Sequence, residues 1–183
     1  MRKRRTGFWA SVFLVVSLVS IGGCGGSGGD GGGDAEVVGT VKGKVGDVEG
    51  QWYAIKIEQN GISAASSNYS SMPGGLADYT IQAHEGRRFS ISNSVSISMQ
   101  YLGDRVLSSD VTYFPEQGMV PHYTSDENSV AIAMTTMEKI GDVYKLAGTA
   151  QGKLYRVASM TGDPDLSDSI DVAIAFEADA YLE

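Results

Sequence analysis

Few residues of this chain can do chemistry. His84 and His122 are its two imidazoles, Cys24 is its single thiol, and its acids crowd most closely in Asp163-Pro164-Asp165-Leu166-Ser167-Asp168. His84-Glu85 begins like the helix of a zinc protease, in which a second histidine four positions on completes the metal pair. Arg88 stands at that position, and a guanidinium has no lone pair to offer a metal. Gly86 reads as a turn, so the pair is expected at a solvent-exposed strand end. His122, within Val120-Pro121-His122-Tyr123, is the loop histidine that could act as a base. Serine needs such a base within hydrogen-bond reach, and residues 36–183 contain no Gly-x-Ser-x-Gly elbow and no Ser-x-x-Lys pair. The acidic loop offers Asp163, Asp165 and Asp168 as candidate oxygen ligands for calcium. It lacks the glycine of an EF-hand at Asp168 and the bidentate glutamate at Ile174, so a solvated acidic turn is expected. These residues predict a non-enzyme without a cofactor.

Contact chemistry is better represented. Ser66-Ser67-Asn68-Tyr69-Ser70-Ser71-Met72-Pro73-Gly74-Gly75 and the segment Pro115 to Asn128 read as long loops. Tyrosine among serine, asparagine and glycine makes adaptable binding surfaces, so Tyr69 and Tyr123 are the candidate ligand-binding residues.

The elements that must carry these residues read as strands. From Phe89 to Tyr101 the apolar Phe89, Ile91, Val95, Ile97, Met99 and Tyr101 fall on odd positions with serines between them. Period two marks a strand with one buried face, and Asn93 interrupts that face where a bend or bulge is expected. Tyr53, Ile55 and Ile57 alternate with Ala54, Lys56 and Glu58, and Asn60-Gly61 then supplies a hairpin turn. Further strands are predicted over 37–45, 78–83, 107–114, 130–137, 143–154 and 170–182. Their turns are expected at Glu85-Gly86, Gly103-Asp104, Gly141-Asp142 and Gly162-Asp163-Pro164. The alanine-rich last segment could suggest a helix, but Val172, Ile174 and Phe176 fall on even positions while Asp171, Glu177 and Asp179 fall on odd ones. The expected fold is all-β: an antiparallel sandwich of eight or nine strands, or alternatively a closed or partly closed barrel.

The amino terminus has a different grammar. Arg2-Lys3-Arg4-Arg5 is followed by an apolar run from Phe8 to Ile21, the order of an export signal. As a helix those 14 residues would span roughly 21 Å, short of a hydrocarbon core of about 30 Å. Ile21-Gly22-Gly23-Cys24 resembles the lipobox of bacterial lipoproteins. That resemblance implies cleavage after Gly23, lipidation of the Cys24 thiol and attachment to a membrane. Gly25, in place of the aspartate that retains enteric lipoproteins at the inner membrane, favours the outer membrane in a Gram-negative cell. Residues 1–23 are thus expected to be a signal peptide, 24–35 a lipidated cysteine with a glycine-rich tether, and 36–183 a single β domain.

Of the 14 Lys+Arg, four lie in the signal and none of the 22 Asp+Glu do, so the mature chain carries a net charge of −12. That sign argues against a nucleic-acid partner. Gly43-Lys44-Val45-Gly46-Asp47-Val48-Glu49-Gly50-Gln51-Trp52, with Leu146-Ala147-Gly148-Thr149-Ala150 near the end, resembles the strands of small exported β-domain lipoproteins. Ala150 stands where that group often has phenylalanine, and the group implies no particular activity. The expected function is an envelope-anchored module binding a protein, peptide or glycan. A structural envelope protein and a hydrolase are the second and third readings.

Overall fold

The computed structural model describes residues 35–59 and 61–183. The signal segment, Gly23, Cys24 and all but the last residue of the tether lie outside the described residues. Eleven strands account for nearly all regular structure: β1 (Glu36–Val45), β2 (Val48–Gln59), β3 (Ile62–Ala65), β4 (Ser67–Met72), β5 (Leu76–Ala83), β6 (Ser94–Leu102), β7 (Arg105–Phe114), β8 (His122–Thr124), β9 (Val130–Ile140), β10 (Val143–Val157) and β11 (Asp165–Leu182).

They form one mixed sheet that turns back on itself. Neighbours run β4-β5-β6-β7-β8-β10, and β10 pairs with β11. The end of β11 then returns to β4, with Tyr181 opposite Asn68 and Leu182 opposite Tyr69. This contact is parallel, whereas the other strand pairings are antiparallel. The ladder therefore closes into a ring. β1, β2 and β3 extend from the edge of β11 that β4 also uses, and β9 lies along β10 beyond β8.

One core fills the space between the facing surfaces, and the period-two pattern explains which residues enter it. In β11, Val172, Ile174, Phe176, Ala178 and Ala180 are buried while Ala173, Ala175 and Glu177 face outward. A helix would have scattered those residues around its circumference. β6 contributes Val95, Ile97 and Met99, β5 contributes Tyr79, Ile81 and Ala83, and β10 contributes Leu146, Ala150 and Leu154. Each large aliphatic side chain buried in this way contributes about 1.5–3 kcal/mol. Gly148 lies directly opposite Phe176. A Cβ there would come within 2.8 Å of the Phe176 ring, so only glycine leaves room for it.

Three local readings of the sequence are corrected. The strand expected from Phe89 starts only at Ser94, because Asn93 takes a left-handed backbone (φ 48°), and Phe89 is exposed in the preceding loop. In β2 the core face carries Trp52 and Ala54, opposite in phase to the Tyr53–Ile57 face expected. Ile55 is also buried, outside the main core. The strand count exceeds eight or nine because β3, β4 and β8 are short, the last two also polar, and period alone does not separate such strands from loops.

Candidate functional site

The connection from β5 to β6 is anchored at both ends by hydrogen bonds to distant strands. His84 forms an isolated bridge to β2: the Tyr53 N–H donates to the His84 carbonyl at 2.7 Å, and the His84 N–H donates to the Tyr53 carbonyl at 2.9 Å. The imidazole is almost fully buried, at 1% exposure. Its Nδ1 lies 2.6 Å from the Ser90 carbonyl oxygen, the geometry of an Nδ1–H donor. The neutral ring then has a bare Nε2, and that buried atom has no partner among the described residues. Burial lowers the pKa of His84, against a smaller opposing effect of the Ser90 hydrogen bond. The expectation of an exposed strand-end histidine is thus corrected: the bridge to Tyr53 draws His84 inward.

The other end of the loop is pinned as firmly. Asn93 Oδ1 accepts hydrogen bonds from Trp52 Nε1 at 3.3 Å and from the Tyr113 hydroxyl at 3.0 Å. The Ser94 hydroxyl donates to the Ile91 carbonyl at 2.6 Å. Phe89 closes over His84 edge to face, with ring centroids 5.3 Å apart. Between these anchors the chain must bulge outward, and it presents Arg87 and Arg88 to solvent. A groove of about 490 Å³ runs over the loop, lined by Glu85, Arg87, Arg88, Ser90, Ser92 and Gln117 beside Gly86. Gln117 comes from the β7–β8 connection.

The two guanidiniums differ from most other cations of the domain. Lys56 pairs with Glu58, Lys145 with Asp179, Lys153 with Asp171 and Arg156 with Asp168. Lys139 lies over the rings of Tyr69 and Tyr144, 5.6 and 5.7 Å from their centroids. Among the described residues, neither Arg87 nor Arg88 forms an ion pair. The groove therefore offers two forked donors, two hydroxyls and an amide, with one carboxylate at Glu85.

The residues singled out in the sequence are not brought together. Tyr69 lies in strand β4 rather than a loop and is 2% exposed. Its ring packs edge to face on Tyr144 at 4.7 Å, and Tyr144 packs likewise on Tyr79 at 5.1 Å. The same cluster holds Tyr79 with a pKa well above the usual phenol range, mainly through burial and next through its hydrogen bond with Tyr144. The loop reading of 66–75 fails because Tyr69 alternates with Ser67 into the core on the inward face of β4. Tyr123 sits in β8, half-buried against the core, between Tyr113 of β7 and Arg156 of β10. His122 is in the same strand, with Nδ1 2.7 Å from the Met119 carbonyl oxygen and its ring 5.4 Å from that of Phe114.

The acidic segment is engaged locally. Asp165 Oδ1 accepts from the Ser167 hydroxyl at 2.7 Å and from the Ser167 N–H at 3.0 Å, which lowers its pKa. Asp168 Oδ2 lies 3.7 Å from Arg156. Asp163 is exposed, and among the described residues no three His, Cys, Asp or Glu side chains gather as a metal site.

Sequence reasoning missed the groove. Arg88 was informative there only as the residue that spoils a zinc motif, although adjacent arginines in a chain this acidic were a signal in themselves. No protein-family model, curated protein or solved structure matches the chain.

Proposed function

We propose that this protein is an exported lipoprotein, attached to a bacterial membrane through a lipid on Cys24, whose β domain binds a partner in the cell envelope. The lipobox-like Ile21-Gly22-Gly23-Cys24 supports the anchor, and Gly25 supports the outer membrane in a Gram-negative cell. Several acyl chains on one residue would hold the protein far more firmly than a single chain, which binds reversibly. The binding reading rests on one observation: the loop after His84 is fixed at both ends and holds two arginines without ion pairs over an open groove. Loops held by a rigid scaffold are where proteins place recognition residues, and here the β7–β8 connection joins in through Gln117.

Two comparisons test the reading. Cys24→Ser should move the protein from membrane to soluble fractions and abolish fatty-acid labelling, and labelling that persists removes the anchor. Capture from solubilised envelopes with the full chain and with Arg87→Ala/Arg88→Ala should differ in partners recovered. Identical partner sets would leave the structural-protein reading ahead.

A further inference from the structure

We propose that the groove over the 84–93 loop binds a hydroxylated organic oxyanion, such as a sugar acid or sugar phosphate, with the anionic group on Arg87 and Arg88 and a ligand hydroxyl on Glu85. The inference rests on the binding reading above and names the ligand class of that same site.

The donor set selects an oxyanion. A guanidinium presents its N–H groups in a planar fork that matches carboxylate and phosphate oxygens, and two such forks with the Ser90 and Ser92 hydroxyls and the Gln117 amide can serve several oxygens together. The single acceptor-only group, Glu85, would repel a bare anion. It gains a hydrogen bond when the ligand also carries hydroxyls, so the mixed lining favours a molecule with both functions over inorganic phosphate.

The scaffold sharpens this selection. Arg87 and Arg88 lie within the span that the His84–Ser90 contact closes, and the Asn93 contacts to Trp52 and Tyr113 hold the chain just beyond it, so both ends of their segment are fixed before a ligand arrives. Preorganisation of this kind lowers the ordering cost of binding. The charge of the whole domain acts in the other direction. A mature chain with a net charge of −12 opposes the approach of any anion, and it opposes a polyanion most. A compact ligand bearing one or two charges fits both the groove and that field.

Calorimetric titration of the full-length, detergent-solubilised protein tests the proposal with four probes: D-glucuronate, glucose 6-phosphate, glucose and inorganic phosphate. At least one of the two hydroxylated anions should bind, more tightly than inorganic phosphate, and glucose should not. Arg87→Ala/Arg88→Ala should weaken that binding at least tenfold, about 1.4 kcal/mol, with the thermal melt unchanged. Glu85→Gln should narrow the preference for the hydroxylated anion over inorganic phosphate. Absence of binding by both anions, or equal binding to wild type and double variant, overturns the proposal. Equal affinity for inorganic phosphate overturns the role of Glu85 and the hydroxyl. If envelope partners are lost in the double variant while neither anion binds, the ligand class fails and the binding reading stands. If partners are unchanged, the binding reading itself fails.

Discussion

Two regions rich in polar and aromatic side chains stand toward opposite ends of the β5–β6 hairpin. Near the Leu76–Leu102 end, Tyr69, Tyr79, Tyr101 and Tyr144 pack against one another, and Lys139 covers two of the rings. Beyond the Ala83–Val95 end, the loop from His84 to Asn93 is tied down by half-buried hydrogen bonds and lifts Arg87 and Arg88 into an open groove. Similar composition has opposite uses in the two places. In the first, the rings and the cation satisfy each other and the surface closes. In the second, His84 and Asn93 hold the loop in place, and the two arginines above them form no ion pair among the described residues. What separates a closed surface from a candidate site here is whether the polar groups already have partners.

The contrast can be broken most severely at the tyrosine end. Tyr79→Ala removes a buried ring from the centre of the cluster and should cost about 3–5 kcal/mol in urea denaturation, the range for truncating a large buried aromatic side chain. A cost near zero would mean that the cluster is not part of the core. At the opposite end, Asn93→Ala removes the acceptor shared by Trp52 and Tyr113 and puts alanine at φ 48°. About 2–3 kcal/mol should be lost from the two stranded donors and the strained backbone. Groove binding should weaken with it, whereas Tyr79→Ala should leave the groove's ligand preference intact in the folded fraction.

His84 sharpens the comparison through pH. Burial lowers its folded-state pKa below the unfolded value of 6.5. On acidification the unfolded chain therefore takes the proton first, so this contribution is fully present above about pH 6.5 and is lost as the pH falls below it. The slope for one proton cannot exceed about 1.4 kcal/mol per pH unit. Denaturation measured from pH 7.5 to 5 should show that decline in wild type and a flatter profile in His84→Gln. Matching slopes would remove His84 as its source.

The smallest expected stability effects fall on the exposed cations. Lys139→Met should cost about 0.5–1 kcal/mol, the scale of a cation over an aromatic face at an accessible site. Arg87→Ala/Arg88→Ala should stay within about 0.5 kcal/mol of wild type. A larger loss from the arginine pair would make it a structural element and bring the two regions closer in kind.

Much of the β architecture was legible in the amino acids because alternation along a strand is a local property. The even-numbered burial of Val172, Ile174 and Phe176 and the odd-numbered burial of Val95, Ile97 and Met99 follow from period two, and both were readable without knowing any strand's neighbour. Gly103 and Gly141 turn the chain between neighbouring strands at positive φ, as their local sequence suggests. Short strands were harder. β4 and β8 are recognisable only through the strands they pair with, since Ser67-Asn68-Tyr69 and His122-Tyr123-Thr124 also suit a loop. The candidate site was hardest of all, because its residues matter through what lies beneath them.

By itself the sequence determined an all-β domain and assigned the inward and outward faces of β6 and β11, since side-chain direction in a strand alternates whatever lies alongside. Only the tertiary structure decided that β11 returns to β4, that His84 is buried against β2, and that the loop beyond it is held open under Arg87 and Arg88. Those outcomes depend on hydrogen bonds between residues far apart in the chain, whose pairing no local pattern specifies.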